Sequence, residues 1–468
     1  MTTHQRRLPQ LSGPIAGGTK GYPFGQVGEP LTRYGYEEHE YFVAGTAVRY
    51  EHVGDKGFDG VWGAARAGEA AFTTRMLVVL PTDPAAFNGT VIVDWLNVSA
   101  GFEILALEDD AIWEQGFAYV GISAQHVGVH GHPGQSLALT SWDPERYDSL
   151  HQPGDSYSYD IFSQAARLVT ADRPGLSSGV DPLRGLQVRN VVAAGGSQSA
   201  GRLATYLNAV QPLERIFDAA LLFTYFGMPS SLEDDATLNM SDPDSTVEQR
   251  YPEPALLRGD LGIPLFVINS ECETLPHAFS RQLDDSGYRF WEVAGTSHAT
   301  VPDMGAIIAK IMRDGLMMPM PEGPNDLPPM NEVSWRPVAA ACLAQLHRWV
   351  DEGVLPSVQP RISVSVGSVG PTIDRDALGI ALGGIRVPQV DVPTAAHSGV
   401  NGIVGPAFLN GSSIPFDEAT LRRLYPDAAT FIAANHVAAQ RAFAQGVLLE
   451  RGVAEAMLAA QAAAATLP

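Results

Sequence analysis

Along the 468-residue chain, apolar positions gather in two patterns that alternate. Short unbroken apolar runs bounded by turn residues predict buried strands. Apolar residues spaced three and four apart predict helices packed by one face. Residues 40–51 (E-Y-F-V-A-G-T-A-V-R-Y-E) predict a first strand with a bend at Gly45, and residues 72–80 a second one stopped by Pro81. Residues 90–96 (T-V-I-V-D-W-L) are nearly all apolar, which predicts a central strand covered on both faces. Further strands are predicted at 118–123, 188–194, 217–223, 264–269 and 288–293. Between them, helices are predicted at 103–114, 156–168, 199–210 and near 277–283, with a His- and Gly-rich loop at 125–134. Strands separated by helices predict an α/β fold with a mostly parallel central sheet flanked by helices.

The pattern also divides the chain. Residues 1–36 are rich in Gly and Pro and form an N-terminal arm. Residues 37–353 carry the strand–helix alternation and form the core, ending in helices at 304–314 and 333–352 around a Pro-rich stretch, 319–329. Residues 226–260 are long, acidic and without periodicity, which marks a lid-like insertion. Residues 354–468 form a C-terminal extension. It starts with surface chain at 356–370 and Gly-rich extended chain at 377–393, then turns helical and Ala-rich at 416–465 with a break near Pro426. Its low charge predicts that it packs on the core.

Composition narrows the partners. The formal charge is −22 and the basic residues are mostly Arg, the lysines being Lys20, Lys56 and Lys310. That balance speaks against nucleic acid and anionic membranes as partners. Cys272 and Cys342 supply neither a disulfide framework nor a metal-ligand spacing. No apolar run follows the charged start, and none is long enough to span a bilayer, so a cytoplasmic enzyme is expected. Oligomeric state, a homo-oligomer included, stays open.

Chemistry enters at residues 191–202, V-V-A-A-G-G-S-Q-S-A-G-R. A valine-rich strand runs into small residues and then into a helical pattern, Leu203, Tyr206, Leu207 and Val210. Such a turn pushes one serine into a strained, exposed position at a helix N-terminus. Ser197 is favoured as nucleophile, because Gly195 stands two residues before it, where the turn begins. Ser199 is the rival. The base should follow another strand, and His298 in G-T-S-H-A does so with small neighbours. The acid should follow the strand before that; Glu273 in N-S-E-C-E-T fits, with Glu271 as alternative. An oxyanion pocket needs two N–H donors. Gln198 supplies one and the loop after the central strand the other, at Val98 or Asn97. Substrate-binding candidates are Asn97, Trp95 and Tyr225, with Phe102, Tyr157, Tyr159, Phe223 and Phe226 as further pocket walls. The cluster H-V-G-V-H-G-H, with His126, His130 and His132, lacks the Cys or carboxylate that would complete a metal site.

Together these residues resemble the bacterial α/β-hydrolase-domain family. The stretches that carry the resemblance are Y-F-V-A-G-T-A, F-N-G-T-V-I-V-D-W-L-N-V-S, A-Y-V-G-I-S-A-Q, D-P-E-R-Y-D-S-L-H-Q-P-G-D-S-Y-S-Y-D-I-F, G-G-S-Q-S-A-G-R-L, N-S-E-C-E-T, W-E-V-A-G-T-S-H-A and G-G-I-R-V-P. They run from Tyr41 to Pro388. The resemblance implies an α/β-hydrolase fold and a serine hydrolase with Ser197, His298 and a carboxylate at Glu273 or Glu271. The expected reaction is cleavage of a small-molecule carboxylic ester, a lactone included, through an acyl-enzyme and without a cofactor. Two other readings stay open. One is an acyltransferase using the same triad, and the other is a non-catalytic binding protein on this fold.

Overall fold

A computed structural model describes residues 8–27, 30–132, 135–176, 179–233, 253–316, 327–368, 370–402 and 406–468. Most of the expected lid, 234–252, and most of the Pro-rich stretch, 317–326, lie outside the described residues. The chain divides into two units. One holds the described residues up to Phe223, with those of Gly227–Leu265 and Arg313–Pro319. The other holds Thr224–Phe226, Phe266–Met312 and the described part of Met320–Pro468.

The first unit is built on strands β1 (Gln10–Ser12), β2 (Tyr36–Val53), β3 (Gly63–Pro81), β4 (Thr90–Trp95), β5 (Ala118–Ile122), β6 (Asn190–Gly196) and β7 (Ala219–Phe223), in the order β1-β2-β3-β5-β4-β6-β7. The long strands β2 and β3 pair antiparallel, and β3 meets β5 antiparallel. From β5 onward the pairing is parallel: β5 with β4, β4 with β6, and β6 with β7. Every residue of β4, β5 and β7 is buried, as the apolar runs require. The helix Ser158–Arg167 packs against this sheet with nine of its ten residues buried. Its polar members are satisfied: Gln164 donates to the Thr46 carbonyl at 2.8 Å, and Asp160 accepts from the Val48 N–H at 2.9 Å. Phe162 on this helix lies 4.6 Å from Trp95 and 5.3 Å from Phe217 between ring centroids, which makes an aromatic core.

The second unit contains β8 (Leu265–Ser270), which begins at the boundary, and β9 (Tyr288–Val293), its neighbour in the sheet order. Both are buried throughout. The helices Arg336–Glu352, Glu418–Leu424, Ala428–Ala444 and Glu450–Ala464 belong to this unit. Extended chain from the C-terminal region joins the edge of β9, where Ile385 exchanges hydrogen bonds with Glu292 and Ala294 at 2.7 and 2.9 Å.

Several expected elements differ from those observed; the stretch expected to be extended at 377–393, for one, contains a short helix, Pro388–Asp391. The helix expected at 103–114 is reduced to Asp110–Glu114. Ile104 exchanges backbone hydrogen bonds with Asn97, which holds that chain extended, and the helix starts only after Asp109 caps the Ala111 N–H at 2.8 Å. The helix expected near 277–283 is a single turn, Thr274–His277, followed by a 3-10 turn, Ala278–Ser280. It stops because Arg281 leaves the helical region and anchors its guanidinium on Glu292 at 2.8 Å. The loop expected at 125–134 contains a short helix, His126–His130. The break expected near Pro426 separates Glu418–Leu424 from Ala428–Ala444. A second, unforeseen break falls at Gly446, whose φ is 73°.

Candidate active site

The first unit supplies a strained turn. In register, Trp95 on β4 opposes Gly195, and Phe223 on β7 opposes Gly196. Strand β6 ends at Gly196 and the next helix begins at Gln198, so Ser197 alone makes the reversal, with φ 56° and ψ −120°. That backbone costs a non-glycine residue on the order of 1–3 kcal/mol, so the surroundings must impose it. They do so by close approach and hydrogen bonding. The Ser197 N–H donates to the Phe223 carbonyl at 3.0 Å, and the Ser197 carbonyl accepts from the Ala200 N–H at 3.0 Å. A Cβ on Gly196 would lie 2.0 Å from the Phe223 ring, and one on Gly195 would lie 2.9 Å from the Ser199 carbonyl oxygen. Ser197 is the partly exposed residue in an otherwise buried stretch, 191–210. Ser199 is fully buried, and its hydroxyl donates to the Gly196 carbonyl at 3.1 Å.

The loop after β4 is tied to this turn. Asn97 donates its amide to the Gly196 carbonyl at 3.0 Å, and its Oδ1 accepts from the Ser99 N–H at 3.0 Å and hydroxyl at 2.7 Å. Asn97 therefore braces the backbone around the turn. Val98 is the next residue and is buried. Gln198 opens its helix, so its N–H has no intrahelical acceptor. Trp95 is fully buried, with its indole N–H on Gln125 Oε1 at 3.2 Å. Gln125 in turn donates to Asp155 at 2.8 Å, and Asp155 pairs with Arg202 of the turn helix at 3.0 Å. Trp95 thus begins a buried polar chain that anchors the helix.

The second unit brings a carboxylate and an imidazole together. Glu273 is fully buried, and its Oε1 lies 2.7 Å from Nδ1 of His298. Its Oε2 accepts from the Ser270 N–H at 2.9 Å and hydroxyl at 2.7 Å. A carboxylate held at both oxygens fixes the orientation of the imidazole through Nδ1. Phe226 stacks on the imidazole with ring centroids 5.4 Å apart and planes 16° apart. The His298 side chain keeps 14% of its surface exposed. Glu271 has other partners, with Oε1 on Arg375 at 2.6 Å and Oε2 on the Gly295 N–H at 2.7 Å. Tyr225 is clamped by Asn269, which accepts its N–H at 2.7 Å and donates to its carbonyl at 2.8 Å. Its hydroxyl is buried without a hydrogen-bond partner among the described residues, and burial pushes its pKa up.

Of the remaining candidates, Phe102 packs edge-on to Phe24, and Tyr159 donates to the Ser231 carbonyl at 2.6 Å. The histidine cluster is held by backbone. His126 Nδ1 lies 2.8 Å from the Gln152 carbonyl, and His130 Nε2 accepts the Gln152 N–H at 3.0 Å. Burial and the neighbouring His126 and His151 push His130 down to about 4. Among the described residues no group of three or more His, Cys, Asp and Glu side chains could hold a metal ion, and no helix is long and apolar enough to cross a membrane. Sequence reasoning missed Ser270, the second anchor of Glu273, and the contacts that Arg375 and Gly399 make. Ser270 was discoverable, since a hydroxyl at the end of the strand before Glu273 can reach its carboxylate. The others lie about a hundred residues away and carry no local signal.

The profile of a family described as an alpha/beta hydrolase domain matches residues 11–458. No curated protein matches the chain. Among solved structures, the chain is similar to the esterase Est22 at 10% identity, over 58% of this chain and 70% of that one, with a TM-score of 0.25. It is similar to XC6422 from Xanthomonas campestris, described as an a/b serine hydrolase without lid, at 16% identity, over 54% and 92%, with a TM-score of 0.27. It is also similar to a prolyl endopeptidase at 10% identity, over 61% and 39%, with a TM-score of 0.27. The family match carries the fold assignment.

Proposed function

The chain belongs to the alpha/beta hydrolase domain family, and from that premise we propose that it is a serine hydrolase cleaving carboxylic esters, lactones included, through an acyl-enzyme. The observation that carries this reading is the positive-φ turn at Ser197, which sets a serine at a strand end and a helix N-terminus. The 2.7 Å Glu273–His298 bond supplies the matching general base.

In this reading Ser197 Oγ attacks the acyl carbon, and His298 Nε2 takes its proton and passes it to the leaving alkoxide. Glu273 holds the imidazole in its tautomer and stabilises the imidazolium. The Val98 and Gln198 N–H groups receive the oxyanion, a role worth roughly 10²–10³ in rate per donor. Water activated by the same His298 then releases the acid and regenerates Ser197, so the cycle needs no cofactor.

The test uses p-nitrophenyl esters of graded chain length. Ser197→Ala should lower turnover by about 10³-fold or more with the thermal midpoint kept. Ser199→Ala should stay close to wild type, and a fluorophosphonate should label Ser197. Turnover and labelling that survive in Ser197→Ala but vanish in Ser199→Ala would move the nucleophile to Ser199. No labelled serine in the wild-type chain would leave a binding protein on this fold.

A further inference from the structure

Two glutamates stand two apart in N-S-E-C-E-T, both fully buried, and one of them never touches the histidine. Burying a carboxylate is expensive unless it is hydrogen-bonded and paired. Glu271 meets that condition entirely with groups that hold the His298 loop and the C-terminal chain together. Its Oε2 accepts the Gly295 N–H at 2.7 Å, three residues before His298, and its own N–H donates to the Thr296 carbonyl at 3.2 Å. Its Oε1 takes Arg375 Nη2 at 2.6 Å, the Gly399 N–H at 3.1 Å and the Ser398 hydroxyl at 3.2 Å.

The C-terminal chain is pressed onto the same two loops. A Cβ on Gly399 would lie 2.4 Å from the Thr296 carbonyl oxygen and 2.5 Å from the Cys272 nitrogen, so backbone packs on backbone with no room for a side chain. Further along, the Leu409 carbonyl accepts the Ala299 N–H at 3.0 Å, and the Asn410 carbonyl accepts the Ser297 hydroxyl at 3.1 Å. His298 is thus bracketed on both sides by residues fixed from the C-terminal region, while its own ring is held by Glu273 and Phe226.

We propose that Glu271, with Arg375 and the Ser398–Gly399 backbone, is a positioning device for the acid–base pair: it sets the His298 loop at the distance where Nδ1 meets Glu273. The C-terminal region is then part of the catalytic machinery and not an appendage. This rests on the reading of Glu273 and His298 as acid and base. A loop misplaced by about 1 Å costs up to roughly 10²-fold in rate while leaving substrate binding little changed.

The experiment uses the full-length chain and p-nitrophenyl esters. Glu271→Gln should lower kcat roughly 10- to 100-fold with KM within about threefold of wild type. The acid limb of kcat/KM should move to lower pH, because an imidazolium less well seated on Glu273 is easier to deprotonate. In a Glu273→Gln background the same change should cost far less, since the bond it serves is already gone. Arg375→Met, which keeps both backbone donors to Glu271, should show a smaller shift in the same directions and serves if Glu271→Gln does not fold. A lowered thermal midpoint with wild-type kcat and an unmoved acid limb, in whichever variant folds, would overturn the proposal. So would losses that simply add in the double variant. Wild-type turnover in Glu273→Gln would instead overturn the acid–base assignment and this inference with it, whereas a crippled Glu273→Gln beside a wild-type-like Glu271→Gln overturns the positioning role alone.

Discussion

The turn at Ser197 and the pair at Glu273 and His298 are held by opposite strategies. The turn is largely a local object. Its strand, its reversal and its helix are contiguous, and the contacts that enforce it come from the adjacent strand end at Phe223 and from Ser199, two residues on. From far away in sequence, Asn97 and the register with β4 reach it. The Glu273–His298 pair sits on loops, and the neighbouring Glu271 is bonded to chain 104 to 128 residues distant, through Arg375 and Gly399. Strain can be stored in a few residues when sheet and helix flank them. A histidine on a loop has no such frame, and its position must come from elsewhere in the fold.

The comparison is broken most strongly by removing one group from each side. Glu273→Gln should lower kcat by roughly 10³–10⁴-fold, since the amide cannot stabilise the imidazolium and favours the wrong tautomer. Asn97→Asp places an acceptor against the Gly196 carbonyl in place of a donor. It should cost about 10²-fold, the worth of one displaced oxyanion donor. Steady-state kinetics on one ester ranks the two. A larger loss in Asn97→Asp would mean that the turn, too, depends mainly on distant bracing.

A second contrast concerns stability. Arg202 and Asp155 behind the turn helix are 2% and 0% exposed, whereas Arg281, which pairs with buried Glu292 in the other unit, is 25% exposed. Arg202→Met leaves a carboxylate that water cannot reach and should cost about 3–5 kcal/mol in urea unfolding. Arg281→Met opens a site that solvent can enter, with the Ile362 N–H still bonded to Glu292 at 3.0 Å, and should cost about 1 kcal/mol. Equal losses would show that solvent access does not separate the two.

The same division explains what could be read from sequence. Strands β4 to β9 announce themselves because burial on both faces demands mostly apolar runs, and Tyr288–Val293 matches its expectation at both ends although Arg289 and Glu292 interrupt it. The Ser197 turn was legible because glycine, serine and a following helical period sit side by side. The helix expected at 103–114 failed because Ile104 spends its backbone bonds on Asn97, a partner that no periodicity reveals. In sequence, Glu273 was preferred to Glu271 only by its place in the loop after the strand. What separates them is Ser270 and His298 on one side and Arg375 with Gly399 on the other, all brought in by tertiary structure.

A last contrast is a difference in how pH loads the two units. Asp94 on β4 is buried with one partner, the Tyr119 hydroxyl at 2.7 Å, and its Oδ1 has none among the described residues. Burial pushes it up to about 7. Its folded pKa exceeds its unfolded value, so the folded chain binds the extra proton, and the stability this gives is lost as pH rises toward 7 and beyond. In the other unit His277, stacked on Phe290 at 4.5 Å, is pushed down to about 3 by burial, and His397 to about 4. For these the unfolded chain binds the proton, so stability falls as pH drops below about 6.5, an effect to which His130 of the first unit adds. Asp94→Asn keeps an acceptor for Tyr119 and removes the titration. Relative to wild type, its urea-derived stability should rise by about 2–3 kcal/mol between pH 5 and pH 8.5, with no change in the acid-side decline. A gap that stays constant across that range would mean that Asp94 does not change its protonation on folding, and that its pairing with Tyr119 suffices to keep it ionised in both states.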